Sequence, residues 1–208
     1  MGDDDLGRGV AVRLSGLCLT PAGRPADKLI CSDAVRGGLF VDLALAGRIE
    51  SDDESIVLDE RPTGWAPADR LLAAVAVEPE RSLDDWLGER RLGFRDVVDA
   101  NVASGRWRPR GGLAWRRRFA DGAADVTAAD LRRRWPWPDG TGSPQDAAVT
   151  AIALAAGLLD REHGWSTPPA EALVAATAPA DWLCAVVVEH LRAAAVRYAG
   201  ETYGTAPF

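Results

Sequence analysis

One segment of the chain predicts a helix at the centre of the fold. Ser143, Pro144 and Asp146 form a helix-start signature, with a capping hydroxyl, a proline at the first helical position and an acid at the third. The segment that follows, Ala147 to Leu159, is apolar on nearly all sides. A helix without a polar face has to be covered by other elements all round. The sequence therefore predicts a core helix around which the rest of the chain is arranged.

Apolar residues at helical spacing predict several more helices. From Lys28 to Leu45 the apolar residues recur about every 3.6 residues, and Gly47 follows as a left-handed stop. Ser82 and Asp85 have the spacing of a capping box. The same reasoning predicts helices at Leu71–Val75, Trp86-Leu87, Phe94–Val102, Thr127–Arg134, after Thr167-Pro168 and at Trp182–Tyr198, and a strand or short helix at Val10–Leu19.

Short strands complete the predicted architecture. Ser55 to Leu58 is predicted to form a strand that pairs with Arg48 and Ile49. The chain shows no internal repeat and no linker long enough to divide it. We expect residues 1–9 to be a flexible acidic N-terminus, residues 10–200 to be one domain and residues 201–208 to be a tail. The predicted fold class is mainly α, a single-domain helical bundle with small β-hairpins, one of which forms a winged-helix-like element.

Composition and the N-terminal sequence bear on the location of the protein. The chain has 208 residues, of which 47% are hydrophobic and 26% charged, close to the average of soluble globular proteins. Its most apolar segment, Ala147 to Leu159, is shorter than the roughly 18 residues that a membrane-spanning helix needs. The first residues are acidic, unlike a secretory signal. We therefore expect a cytoplasmic protein whose membrane association is peripheral, on the inner face of the membrane.

The residues that usually carry catalysis or bind metals show no such pattern. Cys18, Cys31 and Cys184 are odd in number and far apart, so we expect buried thiols in a reducing cytosol rather than disulfides or a zinc site. His163 and His190 have no partner motif, and His190 lies on an apolar helical stripe, which favours a structural role. No nucleophile elbow, phosphate loop or pair of catalytic carboxylates is recognisable. The sequence predicts no catalytic residue, no metal, no cofactor and no enzymatic activity.

The strongest charge feature is an arginine-rich segment. Between Arg106 and Arg118 there are six arginines and no carboxylate, with Gly111-Gly112 as a turn. Residues 90–134 contain twelve arginines against five aspartates, a local charge of +7 in a chain whose net charge is -7. Such asymmetry predicts a basic face on an otherwise acidic body.

A period of two divides this segment into two faces. Trp107, Pro109, Leu113, Trp115 and Phe119 fall on an apolar side, and Arg106, Arg108, Arg110, Arg116 and Arg118 fall on a cationic side. One interpretation is a half-buried ribbon whose tryptophans enter the core and whose arginines are solvated. The other is an element that binds anions or contacts a membrane, because arginines suit an anionic leaflet and tryptophans suit its interface.

An ordered set of short matches resembles the Golgi phosphoprotein 3 family, including its bacterial members. The longest match is Ala34–Ile49, which resembles the family's characteristic helix and turn. The other matches follow in the family's order: Pro62-Thr63-Gly64, Trp86-Leu87, Ala103-Ser104-Gly105, Ala151–Leu159 and Asp181-Trp182. Together they extend from about residue 14 to about residue 199.

The resemblance implies a mostly helical domain that binds a phosphoinositide headgroup and inserts a hairpin into the bilayer. Eukaryotic relatives use this binding to recruit glycosyltransferases and coat proteins. The family's headgroup arginines fall on Arg36 and Arg95, whereas Asp27 and Val98 stand at two further positions of that site. Because an aspartate repels phosphate, we expect a generic anionic surface rather than tight selection of one lipid. Further headgroup charge is predicted from Arg48, Arg90 and Arg91.

The predicted membrane-contact hairpin comprises Arg106, Trp107, Arg108, Arg110, Trp115, Arg116 and Arg118. Its tip, Pro109–Gly112, is basic, which favours adsorption to a surface over deep insertion. The expected partners are an anionic phospholipid or phosphoinositide, together with other membrane-associated proteins. The oligomeric state stays open.

Two other functions fit a basic hairpin that follows a helix. Winged-helix proteins place such a wing on the phosphates of duplex DNA, although Asp96 and Asp99 on the preceding helix argue against nucleic acid here. A basic face also suits an acidic protein partner. For Arg36 itself, an ion pair with Asp33 or Asp42 is an alternative to headgroup binding.

Overall fold

Helices dominate the protein, as the sequence predicts. The computed structural model describes residues 3–20, 22–24, 28–52, 55–89, 91–110, 118–120, 142–159 and 169–203. A 3-10 helix at Asp3–Arg8 precedes the α-helices α1 (Val10–Leu17), α2 (Lys28–Leu45), α3 (Ala66–Val77), α4 (Leu83–Leu87), α5 (Phe94–Ala103), α6 (Pro144–Ala155), α7 (Ala170–Ala175) and α8 (Asp181–Tyr203). The strands are β1 (Ile49–Asp52), β2 (Ser55–Leu58), β3 (Arg108–Arg110) and β4 (Arg118–Ala120).

Most of the predicted elements are confirmed at or near their predicted bounds. Gly47, which follows α2, has a φ of 67°, as the predicted left-handed stop requires. The Ser82 hydroxyl accepts a hydrogen bond from the Asp85 N–H at the start of α4. Strand β1 pairs antiparallel with β2, with Ile49 opposite Leu58. The N-terminal segment left open between strand and helix is the helix α1, and the predicted helix at Thr127–Arg134 lies outside the described residues.

Helix α2 is as central as the predicted core helix α6. Residues 146–153 of α6 are all buried, which confirms its place in the core. Residues 33–44 of α2 are also buried without interruption, although they include Asp33, Arg36 and Asp42. Helix α2 packs against α1, α5, α6 and α8. The hydropathy pattern does not indicate this position, because three charged residues interrupt the apolar sequence of α2.

Two glycines allow other helices to approach α2 closely. A Cβ atom on Gly38 would lie 2.9 Å from the Cα of Ala11 in α1. A Cβ atom on Gly37 would lie 2.4 Å from a methyl carbon of Val187 in α8. Both distances are shorter than carbon atoms tolerate without displacement. The pair of glycines therefore sets how closely α1 and α8 pack on the central helix.

The carboxylate of Asp42 caps helix α1 from across the core. It accepts hydrogen bonds from the Val10 N–H at 2.7 Å and the Ala11 N–H at 2.9 Å. The residue before them is Gly9, whose own Cβ would lie 2.2 Å from Asp42 Oδ1, so only glycine leaves room for this cap. Burial raises the pKa of Asp42 to about 7, against the opposite effect of the two N–H donors. A side chain of α2 thus fixes the start of α1.

We expect the substitution Asp42→Ala to lower the free energy of unfolding by about 2–4 kcal/mol, because two buried N–H groups lose their acceptor. Denaturant unfolding followed by circular dichroism measures this change. The control Asp99→Ala removes an exposed carboxylate from α5 and should change stability by less than about 0.5 kcal/mol. Equal stability of the Asp42 and Asp99 variants would refute the capping role.

Candidate functional site

The arginine-rich segment forms a two-stranded ribbon directly after α5. Strand β3 pairs antiparallel with β4, with Arg108 opposite Ala120, Pro109 opposite Phe119 and Arg110 opposite Arg118. The predicted strand-turn-strand element is therefore confirmed where the structure describes it. We call Arg106–Arg110 and Arg118–Ala120 the arginine ribbon.

The apolar side of the arginine ribbon is fixed to α5 by Trp107. This side chain is only 1% exposed and packs against Phe119 and Phe94, with ring centroids 5.4 Å and 6.3 Å away. The backbone N–H of Trp107 donates to the Asn101 carbonyl oxygen at 3.0 Å. Trp107 consequently belongs to a small core between helix and ribbon, as the first of the two interpretations of the segment predicts. Its indole is not on the surface in this conformation.

The cationic side of the arginine ribbon faces solvent. Arg106, Arg108 and Arg110 are exposed, and Arg106 donates to the side-chain oxygen of Asn101 at 3.0 Å. Pro109 is exposed as well, although the register places it directly opposite the buried Phe119, on the predicted apolar side. Trp115 and Arg116 lie outside the described residues, and only the backbone of Arg118 is described.

Arg95 and Arg91 are also accessible to a ligand. Arg95 is exposed on α5, one turn before Val98, which packs in the same small core as Trp107. Arg91 is exposed in the turn before α5, and its backbone N–H donates to Glu89 Oε1 at 3.0 Å. Both cations therefore lie on the element that carries the arginine ribbon or immediately before it.

Arg36 lies in the core, and all its described contacts are internal. Its side chain is 0% exposed and forms an ion pair with Asp33 at 3.0 Å. The guanidinium also donates to the Leu92 carbonyl oxygen at 2.9 Å, to the Leu87 carbonyl oxygen and to the Ser32 hydroxyl at 3.2 Å. Burial lowers the pKa of Arg36, and the Asp33 carboxylate opposes this effect. In this conformation Arg36 holds the end of α4 and the turn before α5 against α2.

Arg48 is likewise engaged inside the protein. Its guanidinium forms an ion pair with Asp59 at 2.8 Å, and its side chain is nearly buried. Of the five predicted headgroup arginines, Arg90 lies outside the described residues. The structure divides the other four into two kinds. Arg91 and Arg95 are exposed on the surface, whereas Arg36 and Arg48 form ion pairs with carboxylates in the interior.

The ion pair of Arg36 belongs to a buried polar cluster that extends beyond the predicted pairing of Arg36 with Asp33. Asp33 also accepts a hydrogen bond from the Tyr198 hydroxyl at 2.8 Å, and His190 lies beside it. Burial raises the pKa of Asp33, but the contacts with His190, Tyr198 and Arg36 lower it overall. The spacing of Asp33 and Arg36 on one helix suggests an ion pair. Nothing in the sequence indicates that residues of α8 complete the cluster.

A cavity at the other end of α2 does not suit an anion. It has a volume of about 480 Å3 and lies between Ile49, Glu50, Pro179 and Trp182. Its lining contains one carboxylate, from Glu50, and no cationic side chain. The accessible cations of the described site are therefore those of α5, the turn before it and the arginine ribbon.

Fold and site together define a helical domain that carries a basic ribbon anchored to one helix by a buried tryptophan. The family model described as Golgi phosphoprotein 3 (GPP34) matches residues 17–199. The chain belongs to the Golgi phosphoprotein 3 family, as its sequence motifs predict. No curated protein matches it. Within the described ranges, no helix combines the length and the apolar character that crossing a membrane requires.

We expect Arg36→Ala to lower the free energy of unfolding by about 3–5 kcal/mol, because Asp33 and two carbonyl oxygens lose their buried partner. Calorimetric and denaturant unfolding measure the loss. Arg95→Ala is the matched control and should leave the midpoint unchanged, since its side chain is exposed on α5. An unchanged midpoint in the Arg36 variant would show that the buried ion pair does not support the fold.

Proposed function

We propose that this protein is a non-enzymatic peripheral membrane protein that binds anionic lipid headgroups with the cationic side of the arginine ribbon and with Arg95 and Arg91. The observation that carries the proposal is the two-sided construction of the ribbon. Trp107 fixes one side to α5, so that Arg106, Arg108 and Arg110 are presented outward on a supported element. Membership of the Golgi phosphoprotein 3 family supports a role in lipid or partner binding.

The register of the ribbon adds an electrostatic argument. Arg110 lies directly opposite Arg118 in the antiparallel ladder. Like charges at directly opposed positions destabilise a pair of strands, and a polyanionic surface that lies against them removes this repulsion. Among the described residues of the ribbon there is no carboxylate to do so internally. The ribbon is therefore better suited to a bound state with anions than to isolation in water.

The expected mode of binding is adsorption to the surface of the bilayer. Each basic residue near an anionic leaflet contributes about 1 kcal/mol, so Arg95, Arg106, Arg108 and Arg110 together supply several kcal/mol. The described outward side of the ribbon has no large apolar side chain to insert, and Trp107 is buried. Electrostatic adsorption of this kind weakens as salt rises, because the charges are screened.

Selectivity for a phosphoinositide-like headgroup is assigned to Arg95 and Arg91 rather than to Arg36. A phosphate monoester is held by guanidinium groups through charge-assisted, often bidentate, hydrogen bonds, which requires accessible side chains. Arg36 and Arg48 contribute indirectly, through the ion pairs that support the surrounding backbone. Additional membrane-associated proteins remain proposed partners that the same basic face would meet at the membrane.

We expect the double variant Arg108→Ala/Arg110→Ala to bind anionic vesicles about 10- to 30-fold more weakly than the unaltered protein, since two charges are lost from the contact. Co-sedimentation with vesicles of phosphatidylcholine alone, and of phosphatidylcholine mixed with phosphatidylserine or with a phosphatidylinositol monophosphate, measures this affinity at low and high salt. The matched control is Arg192→Ala/Arg197→Ala, which removes two exposed arginines from α8 and should bind like the unaltered protein.

The same variants separate the proposal from its competitors. Equal pelleting with neutral and anionic vesicles would refute it, and so would an equal loss of binding in the α8 control. A shift of duplex DNA in a gel at matched ionic strength, without vesicle pelleting, would assign the ribbon to nucleic acid. Asp96 and Asp99 on α5 argue against that outcome, because carboxylates there repel the phosphate backbone.

A further inference from the structure

The imidazole of His190 lies between two carboxylates that belong to different helices. His190 is on α8 and is 6% exposed. Its Nδ1 is 2.6 Å from Oδ1 of Asp84 in α4, and its Nε2 is 3.8 Å from Oδ2 of Asp33 in α2. The ring, which α8 carries, therefore connects α4 with α2.

This geometry favours the doubly protonated ring. A neutral imidazole has one N–H group and one nitrogen lone pair. Either neutral tautomer would direct its lone pair at a carboxylate, at Asp84 in one case and at Asp33 in the other. Only the imidazolium presents an N–H group to both. Nε2 is buried and has no hydrogen-bond partner among the described residues.

The charged and polar groups around His190 come from three helices. Helix α2 contributes Asp33 and Arg36, which pair with each other at 3.0 Å. Helix α8 contributes the Tyr198 hydroxyl, which donates to Asp33, and helix α4 contributes Asp84, whose side chain is 75% exposed. Beyond α4, the charge of Glu89 acts on Arg36. When His190 is protonated, the two positive charges of His190 and Arg36 balance the two negative charges of Asp33 and Asp84. Without that proton, the same cluster carries an excess negative charge.

We propose that protonation of His190 holds the start of α4 against the core, so that α4 becomes less firmly attached when His190 loses its proton. The two ends of α4 are held differently. Its end is held by Arg36, which donates to the Leu87 carbonyl oxygen. Its start is held by Asp84, through the contact with His190. Loss of the proton weakens the second attachment and leaves the first in place.

The direction of the pH effect follows from the carboxylates. The Asp33 carboxylate raises the pKa of His190, burial opposes it, and Asp84 raises it further, with a net rise above 6.5. A group whose pKa is higher in the folded state stabilises that state fully below its unfolded pKa. The contribution is lost as pH rises through the folded pKa. The attachment of α4 is thus complete below pH 6.5 and weakens as the pH rises through the raised pKa of His190.

A consequence for the membrane site rests on the proposed function. The chain leaves α4 through the turn that carries Arg91 and then enters α5 with Arg95. When the start of α4 is less firmly attached, the position of this turn depends on the contacts of Arg36 with Leu87 and Leu92. Arg91 is then presented less rigidly, and the affinity for anionic vesicles falls. Protonation of His190 would then couple local pH to headgroup binding.

The first test observes the ring directly. The chain contains two histidines, so His163→Gln leaves a single histidine signal in a heteronuclear NMR titration. We expect that signal to titrate above 6.5. Asp84→Asn keeps a side chain of similar size but removes its charge, and should move the midpoint of the His190 titration to lower pH. A midpoint at or below 6.5 in the His163 variant would overturn the proposal.

The second test measures the attachment of α4 by amide hydrogen exchange, expressed as protection factors relative to the free chain at each pH. Between pH about 6 and about 9, protection in Leu83–Leu87 should fall, by about tenfold for each unit by which the pKa of His190 exceeds its unfolded value. The core helix α6 is the internal control. Its protection reports the general change of stability with pH, to which Asp42, whose pKa is about 7, contributes. The His190→Gln variant separates this general change from the local effect on α4.

Variants distinguish the attachment from its effect on the membrane site. His190→Gln should give α4 the same protection at all pH values, and Asp84→Asn should do so if the glutamine variant does not fold. A pH-independent α4 in the unaltered protein, or an unchanged pH dependence of α4 in the His190→Gln variant, would overturn the proposal. If α4 loosens while binding to anionic vesicles stays constant with pH, the link to the membrane site is refuted. If neither the unaltered protein nor the His190→Gln variant binds anionic vesicles, the proposed function is refuted. Hydrogen exchange in α4 then still tests the attachment.

Discussion

The ion pair between Arg36 and Asp33, buried inside the central helix α2, is the interaction on which the surrounding structure depends. A guanidinium that is removed from water has to find a partner for each of its donors, because an unpaired buried charge costs several kcal/mol. Arg36 finds them in a carboxylate, a hydroxyl and two backbone carbonyl oxygens from residues 87 and 92. The end of α4 and the turn before α5 are therefore held to α2 by the requirements of one side chain.

The same helix organises the opposite side of the core through Asp42 and two glycines. Asp42 supplies the cap that α1 cannot supply itself, because its N-cap residue is Gly9. Gly37 and Gly38 let α8 and α1 pack at short distance. Charged residues that would usually lie on a surface here act as connectors within the core. This arrangement makes α2 the element to which most others are fixed.

The arginines of this protein consequently have two separate tasks. Those in the core, such as Arg36 and Arg48, are neutralised by local carboxylates and stabilise the backbone. Arg106, Arg108 and Arg110 of the arginine ribbon are exposed and supported by Trp107, whose burial against α5 positions the strands without occupying the outer side. The division explains how an acidic chain with net charge -7 presents a basic surface.

The sequence by itself determined the helical fold, the main element boundaries, the alternation of the arginine ribbon and the family, because periodicity, caps and glycine stops are local properties of the chain. It also indicated that Arg36 and Asp33 could pair, since they lie one turn apart on a helix. It did not determine that Arg36 is buried, that Asp42 caps α1 or that His190 lies between Asp33 and Asp84. The hydrogen bonds of Asp42 with α1 and of His190 with Asp84 join residues 31 to 106 positions apart, and His190 and Asp33 are still farther apart in the chain. Burial and such long-range contacts exist only once the helices have packed.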